Sequence, residues 1–162
     1  MSYSTLDAPL SDGVAQIRDV RVSYRGRART LAAPLTRPDQ VAAFMRKLVA
    51  GDAREHFVVI HLDGRHRPIG YQVASVGTAT ASLIHPREVF QQPAIAVGAV
   101  AIIISHNHPS GDPTPSSEDN TITKRLADAG NLLGIHLLDH VVCAGSEYHS
   151  TRETQPEWFN VK

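Results

Sequence analysis

The chain has 162 residues, 42% hydrophobic and 20% charged, enough for one domain with its own core. The 16 Lys and Arg balance the 16 Asp and Glu, so no global basic field marks a nucleic-acid binder, although Arg18, Arg21, Arg25, Arg27 and Arg29 crowd the N-terminal region. One cysteine, Cys143, excludes an intramolecular disulfide and suits a reducing cytoplasm, the start lacks a signal-peptide layout, and the longest mostly apolar stretch, 94–104, falls short of the ~20 residues of a membrane span.

Residues 1–13 are polar and punctuated by Gly and Pro, a loose lead-in. Residues 14–24 alternate apolar and polar (Val14, Ile17, Val20, Val22, Tyr24) and predict a strand. Arg25-Gly26-Arg27 turns the chain, and Pro34 to Pro38 breaks it again. Asp39 is expected to cap a helix through Val49, with Val41, Phe44, Met45 and Leu48 on one stripe. The β-branched and aromatic run from Phe57 to Leu62 predicts a strand, Asp63-Gly64 a hairpin turn, and Ile69 to Val76 the partner strand. Pro86 suits the first turn of a second helix, which Pro93 should kink or restart.

The continuous apolar run Val100 to Ile104 predicts a central strand covered on both faces. Pro109, Gly111, Pro113 and Pro115 make the next stretch a loop, with Thr114-Pro115 expected to cap and open a helix. Ile122, Leu126, Ala129 and Leu133 form its apolar face, and Gly134 ends it. Residues 135–142 predict the last strand, before a polar tail from Ser146. Helices mixed with strands and no internal linker indicate a single three-layer α/β/α or α+β domain.

Ser105-His106-Asn107-His108-Pro109, followed by Ser116-x-x-Asp119, stands where the apolar run ends. On an extended chain His106 and His108 point the same way, because side chains repeat every two residues. Asp119, in the first turn of the next helix, can fold back toward them through the loop. Two imidazoles, a carboxylate and a fourth position left for water describe a catalytic zinc site; a structural zinc is more often closed by four ligands, several of them thiolates. Plainer readings compete. Ser116 and Asp119 also fit a helix-capping pair, and an arbitrary His-x-His is often only a polar loop start. Asp112 lies in Gly-Asp-Pro, which is turn chemistry. Asp139-His140 either orients a ligand or forms a buried structural pair. Cys143 reads as core rather than nucleophile.

The His106-x-His108 pair, seven intervening residues and Ser116-x-x-Asp119 resemble the JAMM signature of the JAB/MPN+ metallopeptidases. The longer run His106-Asn107-His108-Pro109-Ser110-Gly111-Asp112-Pro113 with Pro115-Ser116 is similar to the RadC branch, as are Gly77-Thr78, His85-Pro86-Arg87-Glu88 and Leu138-Asp139-His140. This resemblance covers about residues 38–151. It implies an MPN/JAB-like α/β (α+β) domain over 38–162, a mixed sheet flanked by helices in a cytidine-deaminase-like three-layer arrangement, with 1–37 an N-terminal extension. It implies a zinc-dependent hydrolase of peptide, isopeptide or related amide bonds, with one zinc per chain. His106, His108 and Asp119 match the metal ligands, Ser116 the oxyanion donor, and Glu55 the upstream glutamate that handles the proton of water. Glu88 is the other candidate for that last role. His2Asp plus water would also accept manganese or iron. RadC proteins often carry an N-terminal helix-hairpin-helix region, whereas this chain shows a short strand-like extension, so DNA binding through that region is not carried over. A DNA-repair-associated binding or processing protein and a non-catalytic MPN interaction module stand as the alternatives. A protein or peptide substrate is expected, in the cytoplasm and away from the membrane; the sequence leaves its identity and the oligomeric state open.

Overall fold

Five strands form one mixed sheet in the computed structural model, which describes residues 35–77, 84–91 and 98–159. Helix α1 (Pro38–Leu48) comes first. Its cap is Arg37 rather than Asp39: the Gln40 side chain accepts from the N–H groups of Thr36 and Arg37 at 2.9 and 3.1 Å, and Asp39, inside the helix, pairs with Arg37 at 2.9 Å. Pro38 explains the shift, since its preset φ and missing N–H fit the first helical position. Strands β1 (His56–Leu62) and β2 (Pro68–Val76) pair antiparallel as the sequence indicates. Their turn is longer than a two-residue Asp-Gly turn. His66 takes the left-handed conformation (φ 56), and the Asp63 carboxylate accepts from the N–H groups of Arg65 and Arg67, both at 2.9 Å.

Helix α2 (Pro86–Phe90) opens on His85, whose imidazole accepts from Arg87 N–H. Strand β3 (Ala101–Asn107) runs beyond the apolar stretch, so His106 still lies within it. Helix α3 (Ser117–Leu133) is capped by Ser116, not Thr114. Its buried stripe is Asp119, Ile122, Thr123, Leu126, Ala127 and Gly130, whereas Leu133 is exposed. A purely apolar pattern passes over Asp119 and Thr123, and so places the stripe a fraction of a turn away. Gly130 is needed there, because a Cβ would collide with the Ile135 carbonyl. Gly134 closes the helix at φ 68, with Ile135 N–H reaching back to Gly130 C=O at 2.9 Å.

Strand β4 (His136–Ala144) lies parallel to β3. The polar tail then holds elements the sequence pattern missed: β5 (Glu147–Ser150), α4 (Thr151–Thr154) and a 3-10 turn (Pro156–Phe159). β5 reads as polar because, among the described residues, it is a short edge strand that pairs only with β4 in the order β2-β1-β3-β4-β5. The expected strand over 14–24 and the break at Pro93 lie outside the described residues.

The sheet is buried on both sides. Val58, Ile60, Leu62, Ala101, Ile103, Val141 and Cys143 meet α1 through Val41, Ala42 and Met45. Phe57, Val59, Ile102, Ile104 and Leu137 meet α2, α3 and the 3-10 turn through Phe90, Ile122, Leu126 and Phe159. Helix on sheet on helix is the three-layer arrangement the sequence implied. Among the described residues no helix is long and apolar enough to cross a membrane.

Candidate metal centre

The carboxyl end of β3 and the N-terminus of α3 meet above the sheet, and three side chains converge there. His106, fully buried, stacks on Phe57 with centroids 6.0 Å apart and planes at 11°. His106 Nε2 lies 2.9 Å from His108 Nε2 and 3.3 Å from Asp119 Oδ1, and His108 Nε2 lies 3.6 Å from Asp119 Oδ2. Atoms bound about 2.0–2.1 Å from one tetrahedral ion sit roughly 3.3 Å apart, and these separations of 2.9 to 3.6 Å scatter about that value, although the two imidazoles lie nearest different oxygens of Asp119. His106, His108 and Asp119 form a group that could hold a metal ion.

The surrounding hydrogen bonds set the protons. His108 Nδ1 lies 2.8 Å from the Asp112 carbonyl, which can only accept, so the proton is on Nδ1 and Nε2 presents a lone pair. His106 is set by a longer chain. The Thr123 hydroxyl donates to the Asp119 backbone carbonyl at 2.6 Å and so accepts from His140 Nδ1 at 2.5 Å. His140 Nε2 then accepts from His106 Nδ1 at 2.8 Å, which leaves His106 Nε2 a lone pair as well. Two imidazole lone pairs and a carboxylate thus face one point. A single proton relieves one pair of these atoms; a divalent cation satisfies all three.

Burial would raise the Asp119 carboxyl, but a proton placed between His106 and Asp119 when no cation is bound, with hydrogen bonds from the Ser116 hydroxyl and N–H, outweighs it and holds the group well below the usual carboxylate range. Burial, with His106 beside it, pushes His140 well below 6.5, so it serves as a neutral relay. Ser116 closes a capping box: its hydroxyl accepts from Asp119 N–H at 3.1 Å, while its own N–H and O–H both reach Asp119 Oδ2 at 2.7 Å. The capping and ligand readings therefore coexist, because one carboxylate oxygen serves the cap and the other faces His106.

The RadC-like JAB domain profile matches residues 35–156. The chain belongs to the RadC-like JAB family. It is 41% identical over 147 residues to a UPF0758 protein of Desulfitobacterium hafniense (strain DSM 10664 / DCB-2), covering 87% of this chain and 64% of that one. A UPF0758 protein of Symbiobacterium thermophilum is 44% identical over 146 residues, 87% of this chain and 62% of its own length. One from Rubrobacter xylanophilus is 44% identical over 119 residues, 74% of this chain and 52% of its own. The chain thus spans less than two thirds of these relatives, whose names state no activity.

Within this RadC-like domain, Asp112 makes a turn, as its Gly-Asp-Pro setting indicates: its carboxylate accepts from Thr114 N–H at 2.9 Å, while its carbonyl orients His108. Asp139 and His140 divide the two roles between them. His140 orients His106, whereas Asp139 accepts from Ser150 Oγ, Arg152 N–H and His140 N–H at 2.7, 3.0 and 2.7 Å and anchors β5 and α4. Burial raises the Asp139 carboxyl, against the pull of those hydrogen bonds. Cys143 is buried beside Ser105, and burial pushes its thiol up, as for a core residue. Thr123 escaped the sequence reading, although its place four residues after Asp119 puts both on one helix face. Glu55 precedes β1, half-buried, with its carbonyl accepting from Gly77 N–H at 2.8 Å. Across the α1 side of the same strand end runs an open cleft of about 340 Å³, lined by Met45, Val49, Pro109 and Cys143 and bordered by His108.

Proposed function

We propose that this RadC-like domain is a metal-dependent hydrolase of amide bonds, with zinc as the resident ion and a protein or peptide as substrate. The supporting observation is the pair of imidazole lone pairs and the carboxylate directed at one point, each imidazole oriented from behind by a fixed hydrogen bond. His106, His108 and Asp119 would hold the ion and leave one position open. A bound zinc supplies acidity to water, whose pKa falls toward about 7, and polarises a scissile carbonyl.

The chain's own residues do the rest. Glu55 takes the proton of the attacking water and returns it to the leaving amine. The strand register favours Glu55 over Glu88. Phe57 pairs with His106, and Glu55 lies only two residues before Phe57, at the strand end that carries His106 and His108; Glu88 is tied through its carbonyl to Gln72 of β2, with β1 in between. The Ser116 hydroxyl, rotated from Asp119 toward the substrate, donates to the oxyanion, a contact worth about 3 kcal/mol in other hydrolases. The adjoining cleft gives room for a substrate side chain.

The test has two parts. Elemental analysis of the purified protein should give one zinc per chain, lost in His108→Ala. The zinc-loaded protein should cleave members of an internally quenched peptide library, and Glu55→Gln should keep the metal while losing turnover. A chain that takes up no metal refutes the reading; full activity in Glu55→Gln removes Glu55 from it.

A further inference from the structure

Asn107 stands between the two ligand histidines and contributes nothing to the triangle of ligand atoms. Its side chain acts on the neighbouring strand. β1 and β3 pair regularly up to Phe57 and His106. Past that pair β3 continues its ladder with β4 alone, where His108 N–H donates to Cys143 C=O at 2.7 Å. The entrance to β1 therefore has no backbone partner on its β3 side just where Glu55 arrives. Asn107 fills the gap. Its Oδ1 accepts from His56 N–H at 2.8 Å, and its Nδ2 donates to Arg54 C=O at 2.9 Å.

One planar amide thus holds the two backbone groups that flank Glu55. Gly77 N–H holds the Glu55 carbonyl from the β2 side, and the His56 imidazole adds a contact to Arg54 C=O at 3.0 Å. The geometry requires an acceptor and a donor on one short side chain. Aspartate lacks the donor, and alanine lacks both. Phe57 shares a sheet face with His106, on which it stacks; Glu55, two residues earlier on extended chain, falls on that same face.

We propose that Asn107 is a positioning residue whose amide fixes the backbone of residues 54–56 to the strand end that carries His106 and His108, and so sets Glu55 against the metal centre. This rests on the hydrolase reading for its chemical consequence, though not for the clamp itself. The substrate does not touch Asn107 in this scheme; Asn107 acts through Glu55.

The experiment compares wild type, Asn107→Ala and Asn107→Asp, with zinc as the metal and the quenched peptide library as substrate. Amide hydrogen exchange at His56 should accelerate at least tenfold in Asn107→Ala while the rest of β1 stays protected, and zinc affinity should remain within about twofold of wild type. Turnover should fall on the order of 100-fold, the effect of displacing a reacting group by about 1 Å, with KM unchanged. Asn107→Asp keeps the His56 bond and loses the one to Arg54, so it should fall between; it also serves if the alanine variant folds poorly. In a Glu55→Gln background, Asn107→Ala should cost no further turnover. Unchanged His56 exchange, zinc affinity that falls along with turnover, or losses that multiply in the double variant would each overturn the proposal. An inactive zinc-loaded wild type would count against the hydrolase reading instead, while exchange and zinc affinity would still judge the clamp.

Discussion

Replacing His140 by alanine tests the proton arrangement behind the metal centre. His140 is fully buried and neutral, and it holds His106 Nδ1–H at 2.8 Å. Without it that N–H has no acceptor, and a stranded buried donor costs about 1–3 kcal/mol. The protein can escape that cost by moving the proton to His106 Nε2, where Asp119 Oδ1 waits at 3.3 Å. In that tautomer the lone pair needed for a metal is gone. Loss of an orienting partner behind a ligand typically weakens metal binding by about 10- to 100-fold, or about 1.4–2.7 kcal/mol. Competition titration against a chelator at pH 7.5 measures this directly. Melting gives an independent reading: zinc at about 1,000 times the wild-type Kd stabilises the native state by about 4 kcal/mol, but by only about 1.4 kcal/mol if affinity falls 100-fold. His140→Gln, whose Oε1 can accept from His106, should recover part of the affinity. A cooperatively folded His140→Ala protein that binds zinc as tightly as wild type would refute the tautomer chain.

Two further outcomes follow from the geometry. Ser116→Ala removes the cap of α3 but leaves the backbone N–H on Asp119 Oδ2, so it should cost about 1 kcal/mol, lower the metal-free melting temperature by about 2–4 °C, and leave zinc affinity within a few-fold; an unchanged melting temperature counts against the cap. His61 is buried in β1 with no hydrogen-bond partner for Nε2 among the described residues, and burial pushes its imidazole from 6.5 down to about 4. Since the unfolded chain binds that proton first, stability is intact above 6.5 and is lost as pH falls toward 4, by about 3 kcal/mol in all. Urea midpoints at pH 7 and 4.5 should show His61→Leu losing less on acidification than wild type; equal losses would place the pH dependence elsewhere.

Much of the fold was legible because local signals agreed. β1 and β2 announced themselves by β-branched residues on either side of Asp63-Gly64, and Pro86 and Gly134 marked helix ends for reasons internal to the backbone. Misreadings came where a local rule met a tertiary demand. Asp119 and Thr123 sit on the buried stripe of α3 because Asp119 faces His106 and Thr123 bonds His140, so hydrophobic periodicity alone misplaced the stripe. β5 went unseen because an edge strand may stay polar, and its anchor, Ser150 to Asp139, joins residues from different elements.

The sequence by itself determined which side chains are candidates for the site. His106 and His108 share a face because strands repeat every two residues, and Asp119 falls in the first turn of a helix that Ser116 caps. Only the tertiary structure decided how those side chains are prepared. The proton on His106 depends on Thr123 and His140, and the backbone on either side of Glu55 is held by Asn107, all contacts that cross between elements. Strand and helix periodicities are local, and a sequence displays them. Hydrogen-bond partners 34 residues apart, as His106 and His140 are, become neighbours only when β3 and β4 align side by side.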